Sequence, residues 1–237
     1  FNEQDKVLAD KRIRQALSLA IDRQKLVDTL WQGTAQVPAG HNYPEYGQMF
    51  VEGRKLAYDP AKARALLQEA GYKGEPIVYR TMANYYTNAL EAAQILVEQW
   101  KAVGLNASLQ VVENSAQMRG PGVQIFNWSN STRLPDPLGA IWVAWGPAGE
   151  VQVSKFWTST AAFNAAGTAL EAETDPARRK ALFTQMLDIF ERGYKPSPGP
   201  QNGRVGCEAE GGATTLTDPG LYDGSYRVNI VTGGGAK

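Results

Sequence analysis

Two stretches of this chain carry side chains suited to holding a small molecule. In the first, the apolar run Val123-Gln124-Ile125-Phe126 gives way to Asn127 and Trp128, then to Asn130, Ser131, Thr132 and Arg133, and then to Pro135-Asp136-Pro137. That order predicts a buried strand whose end opens into an irregular loop. An indole beside amides, hydroxyls and one guanidinium supplies a stacking face and hydrogen bonds, the parts a small-molecule cleft needs. The alternative is a surface loop with Trp128 tucked into the core. The second stretch, Ala83-Asn84-Tyr85-Tyr86-Thr87-Asn88, offers two phenol rings with Asn84 and Asn88 as amide donors. Trp142 and Trp145 are three apart and share a helical face, so they either line a cleft or fill the core beneath it. Trp is seldom fully buried, so part of at least one ring is expected to be accessible.

Catalytic patterns are scarce. The chain has one His and one Cys, His41 and Cys207, and lacks Gly-x-Ser-x-Gly, His-Glu-x-x-His and dinucleotide-binding glycine patterns. A Ser or Cys nucleophile would have only His41 as an imidazole base. Two carboxylates brought together by folding remain the open catalytic alternative, a hydrolase. His41 has no second His or Cys nearby, which makes it a poor metal ligand; it is expected as a solvated loop residue. No cofactor is expected.

Charge excludes further classes. Lys plus Arg number 24 and Asp plus Glu number 24 in 237 residues, so no global field favours nucleic acid or an anionic membrane. No apolar run approaches the roughly 20 residues that span a bilayer. Phe1-Asn2-Glu3-Gln4 is not a leader, so the chain is expected to begin after processing or inside a longer protein.

The elements that must position these residues are legible in order. Lys11 to Trp31 reads as one or two abutting helices, with Asp10 and Asp22 as cap candidates. Arg14 either faces the cleft or buries its stem to hold helix to loop. Thr34 to Tyr58 is long and irregular. Asp59-Pro60 opens a helix that Gly71 ends. A strand over 77–82, a helix over 87–103 and a strand over 105–112 follow the βαβ rhythm of an α/β layer, with a mainly parallel or mixed sheet. That places the 83–88 link at the same sheet edge as the Trp128 loop. Asp136 reads as an N-cap for a turn over 138–144, with a ligand-facing role as the alternative. Asp175-Pro176 opens a last helix to Arg192, after which the chain becomes rich in Gly and Pro. Within that tail, 221–231 has the pattern of a strand about the Asp223-Gly224 turn.

Several of these stretches resemble one family. Asp-Lys-Arg-Ile-Arg-Gln-Ala-Leu-Ser-Leu-Ala-Ile-Asp-Arg-Gln-Lys-Leu-Val-Asp from Asp10 to Asp28 is similar to the helix that opens the second lobe of the family 5 solute-binding proteins of ABC importers, the dipeptide, oligopeptide and nickel binders. Asn127 to Pro137 resembles the ligand-loop segment of that family, Tyr58 to Tyr72 and Ala172 to Leu182 resemble other segments of it, and Tyr194 to Gly199 resembles its Trp-Lys-Pro-x-Pro-like segment. The resemblance covers about residues 1–192. It implies an α/β lobe of the periplasmic-binding-protein type (type II class) over 1–192 and an extracytoplasmic, periplasmic location; the Gly- and Pro-rich composition, not the resemblance, marks 193–237 as a partly irregular segment. Its partners would be a peptide-like or other small polar solute and a membrane permease, with no nucleic acid and with self-association through a lobe face left uncovered. A scaffold using that face is the non-transport alternative.

Two departures bear on the solute. Dipeptide binders of the family place an Arg in the 83–88 link for the peptide carboxylate, where this chain has Ala83 or its neighbours. They also use an Asp about three residues after the Trp for the α-ammonium, where this chain has Ser131. Losing both fixed charges argues against zwitterionic dipeptides, whose ends need charge-assisted hydrogen bonds once desolvated. Arg133 is either a substitute cation or a solvent-facing loop residue. The expected ligand residues are Asn84, Tyr85, Tyr86, Asn88, Trp128, Asn130, Ser131, Thr132, Arg133 and Trp145.

Overall fold

The computed structural model describes residues 1–2, 4–35, 37, 39–127, 134–157 and 159–192. The Gly- and Pro-rich segment over 193–237, with its 221–231 pattern, and the loop Trp128 to Arg133 lie outside the described residues.

Side-chain caps set where the first helices start. Asp10 accepts from the Arg12 amide at 2.8 Å and opens α1 (Lys11–Leu19). After the break at Ala20 to Asp22, Asp22 accepts from Lys25 and opens α2 (Arg23–Trp31). A cap at each start resolves the expected single or double helix as two. Asp59 accepts from Lys62, with Pro60 at the first position of α3 (Pro60–Glu69). Arg14 is buried and donates to the Leu8 and Ala9 carbonyls at 2.6 and 2.9 Å, so it ties helix to preceding loop.

The sheet contains β1 (Ile77–Thr81), β2 (Ala107–Val111) and β3 (Ile125–Phe126) in the order β2-β1-β3, and both described pairings are parallel. Helix α4 (Ala89–Ala102) links β1 to β2 and the one-turn α5 (Ser115–Met118) links β2 to β3. The register sets Tyr79 opposite Leu109 and Ile125. On one face Ile77, Tyr79 and Thr81 are fully buried, in a core that includes Ala92, Ala93, Leu96 and Trp100 of α4. The Trp100 indole donates to Leu17 of α1 at 2.9 Å and locks that layer. The other face is thinner. There Arg80 donates to Gln110 and to the carbonyls of Gln117, Gly120 and Pro121, and a small cluster of Met118, Val123 and Phe126 lies beside it.

Past β3 come a 3₁₀ turn at Pro137–Gly139, α6 (Ile141–Trp145), α7 (Glu150–Val153), α8 (Ala161–Ala172) and α9 (Pro176–Arg192). No helix is expected from the sequence over α8, where only Phe163 and Leu170 of the four inward positions are large and the two between them, Ala166 and Gly167, are small. The small size is what packing needs there. A Cβ on Gly167 would lie 2.0 Å from Trp142 Cζ3.

His41 corrects an expectation. It is 2% exposed, not solvated, and its ring meets Phe190 at 5.3 Å and Trp145 at 5.6 Å. The loop around it is folded inward by the Asn42 carboxamide, which clasps both the N–H and the C=O of Val51. Arg54 then fastens the loop to α9 through Asp188 and Glu191. Among the described residues no helix is long and apolar enough to cross a membrane.

Candidate functional site

Because β1 and β3 are adjacent and parallel, the links that leave them start at the same end of the sheet. The link after β1 runs from Met82 to Asn88, and the loop after β3 starts at Asn127. Carboxyl ends of parallel strands are where open α/β sheets place ligands. The expectation that these two stretches share a sheet edge therefore holds at the level of their starting points. Met82 and Tyr85 pack against the Met118, Val123 and Phe126 cluster.

Within the first link the four expected residues differ in what they offer. Asn84 is exposed. Tyr85 and Tyr86 are half-buried and meet edge to face at 5.9 Å, with Tyr86 set against the main core. Asn88 sits in the left-handed region at φ 62 and donates its amide to the Leu30 carbonyl at 2.7 Å. That bond ties the start of α4 to the end of α2, so Asn88 holds the link in place and Asn84 is its freer amide.

Of the second stretch, Trp128, Asn130, Ser131, Thr132 and Arg133 fall outside the described residues, while both ends of their loop are described. At the far end Asp136 accepts from the Leu138 amide at 2.9 Å as an N-cap, and its second oxygen accepts from Arg179 of α9 at 2.7 Å. The capping role expected for Asp136 is the one observed.

Trp145 is a correction. It is 1% exposed and sits in an aromatic core with Phe190 at 4.5 Å and Trp157 at 5.6 Å. Its ring offers no face to a ligand; burial of an indole among other rings is its own sufficient reason for being there. Its helical neighbour Trp142 is half-buried against Phe163.

Sequence reasoning missed Asn127. It is 0% exposed, and its Oδ1 accepts from the Tyr79 hydroxyl. The signal was available: an amide stands where the apolar run of β3 would otherwise continue.

Groups with displaced ionisation lie away from this end. Hydrogen bonding from Arg12 holds the Asp10 carboxyl below its usual range, at the start of α1. Burial raises the Tyr72 phenol, whose oxygen accepts from the Asn106 amide at the opposite end of the strands. Among the described residues no group of three or more His, Cys, Asp or Glu is placed to hold a metal ion.

Comparison with known proteins supplies the family. The model of the bacterial extracellular solute-binding proteins, family 5 (middle region), matches residues 1–152. The oligopeptide-binding protein AppA of Bacillus subtilis is 30% identical over 161 residues, which is 57% of this chain and 29% of that relative. A di/tripeptide-binding protein of Pseudomonas aeruginosa is 26% identical over 207 residues, covering 84% of this chain and 38% of that relative. Among solved structures, HbpA2 from Haemophilus parasuis superposes with a TM-score of 0.71 at 22% identity, over 81% of this chain and 39% of that one. At that identity the likeness shows the fold, a periplasmic-binding-protein lobe. The chain spans well under half the length of the relatives it matches. With its parallel sheet, its flanking helices and the family match over residues 1–152, the chain belongs to the family 5 bacterial extracellular solute-binding proteins.

Proposed function

We propose that this chain is one lobe of the substrate-binding component of an ABC importer, holding a peptide-like or other small polar solute without chemistry. The observation that carries the reading is the parallel β1–β3 pairing, which starts the 82–88 link and the loop after Asn127 from one sheet end. Asn84, Tyr85 and Tyr86 supply one wall, with Asn88 bracing it, and Trp128, Asn130, Ser131, Thr132 and Arg133 supply the other. The names of the oligopeptide- and di/tripeptide-binding relatives support a peptide-like solute. A second lobe would close over this wall, and the loaded protein would dock on a membrane permease outside the cytoplasm.

One lobe buries only part of a ligand, and tight sites bury most of it. The chain alone is therefore expected to bind short peptides weakly, with a Kd of order 0.1–1 mM, or about 4–5.5 kcal/mol. Native mass spectrometry with di- to pentapeptides should show adducts at millimolar peptide, and chromatography of the same mixture should recover the peptides intact. Cleaved peptides would replace this reading by the carboxylate-pair hydrolase, and submicromolar binding would contradict the half-site.

A further inference from the structure

We propose, resting on the reading that this sheet end holds a ligand, that Asn127 is a recognition residue whose spare amide N–H donates to an uncharged carbonyl of the ligand. Asn127 is the first residue past β3 and is 0% exposed. Its Oδ1 accepts from the Tyr79 hydroxyl, which fixes the orientation of the carboxamide. Tyr79 is itself 0% exposed and is braced by the Trp100 ring at 5.6 Å. The other edge of the carboxamide, Nδ2, is buried and has no hydrogen-bond partner among the described residues.

A buried donor left unsatisfied costs roughly 1–3 kcal/mol. Such groups are rare enough in native proteins that each one calls for a reason. Folding accounts for the oxygen edge, which serves the buried Tyr79 hydroxyl, but not for the nitrogen edge. Position supplies a reason. The open donor stands where β3 ends, beside the strand that delivers Asn84 and Tyr85. Because Nδ2 is buried, a ligand meets it only if the 82–88 link and the end of β3 part on binding.

The acceptor class follows from the surroundings. The 82–88 link contains no charged residue. The nearest strand cation, Arg80, is committed to Gln110 and to the carbonyls of Gln117, Gly120 and Pro121. An ionised carboxylate brought to Nδ2 would lose its hydration with no described counter-charge, whereas a peptide or carboxamide carbonyl loses much less. Asn127 thus selects an interior peptide group or a blocked end over a free terminus.

The test follows the Asn127 side-chain amide of the full chain by nitrogen–proton correlation NMR, with trialanine and N-acetyl-trialanine methylamide as probes. Asn127→Leu assigns the signal by its disappearance and serves as the binding variant. The proposal expects signals of residues 82–88 and the Asn127 Nδ2 protons to shift together, with the capped peptide binding at least as tightly as the zwitterion. It expects Asn127→Leu to weaken binding about 3- to 10-fold, the worth of one neutral hydrogen bond, with a lowered melting temperature because the Tyr79 hydroxyl loses this acceptor; the Nδ2 shift in the wild-type chain is what separates recognition from a structural role. Shifts over 82–88 with a static Asn127 amide and unchanged affinity in Asn127→Leu would overturn this inference and leave the binding reading standing. If neither probe shifts any signal of the wild-type chain at millimolar concentration, both fall. Should Asn127→Leu lose stability in parallel with affinity while the wild-type amide stays static, the residue is structural and the proposal is overturned.

Discussion

The aromatic core under α9 and the carboxyl end of the sheet are built in opposite ways. In the core, His41, Trp145, Trp157, Phe163 and Phe190 meet ring to ring, and each is at most 6% exposed. At the sheet end Asn84 is exposed, Tyr85 is half-buried on a three-residue cluster, and Asn127 keeps a donor with no acceptor among the described residues. Burial of large rings supplies stability, and polar groups left incompletely satisfied are a cost to it. The difference teaches where to look for function: in the part of the fold that packing alone does not account for.

That contrast breaks most readily by truncating the core. Trp145→Ala should cost about 3–5 kcal/mol, in the range seen when buried aromatic rings are removed, and urea denaturation followed by far-ultraviolet circular dichroism measures it. A loss below about 1 kcal/mol would mean that the ring is not the packing centre described here. A smaller effect comes from overfilling. Gly167→Ala puts a methyl into the Trp142 ring and should cost about 1–3 kcal/mol, read as a lower urea midpoint.

The pH dependence of the helical side is weaker. The folded pKa of Asp10 is held below the ordinary aspartate range, first by the Arg12 hydrogen bond. Since the folded value is the lower one, the stabilisation is fully present above the unfolded pKa and is lost as pH falls through the folded value. In Asp10→Asn the part of the acid-induced destabilisation seen below about pH 4 that Asp10 causes should vanish, which unfolding curves between pH 5 and 2 would show. At the sheet end the effect on stability should be smallest of all. Asn84→Ala should stay within about 0.5 kcal/mol of the parent, as surface substitutions do, yet lower peptide affinity in the same titration that leaves Gly167→Ala unchanged.

Local chemistry made much of this fold legible in the sequence. Asp10, Asp22 and Asp59 announce helix starts by contacts within three residues, and the structure has each cap where the sequence puts it. The β1-α4-β2 unit follows from periodicity, which is likewise a local property. What failed was decided by distant partners. The spacing of Trp142 and Trp145 says that they share a face, but only the approach of Phe190 from α9 decides that Trp145 looks inward. His41 is polar by type and was expected in water. Its burial depends on Trp145 and Phe190 closing over the ring and on Arg54 reaching α9, partners that lie far along the chain. Asn127 is different: the amide that ends the apolar run is visible in the sequence, and only its partner Tyr79, 48 residues away, is not.

The account stands most directly on where a bound peptide is felt. Backbone amide shifts of the full chain titrated with trialanine should move over residues 82–88 and at Asn127, and stay fixed over α8 and α9. Shifts concentrated on α8 and α9, with the sheet end silent, would contradict it.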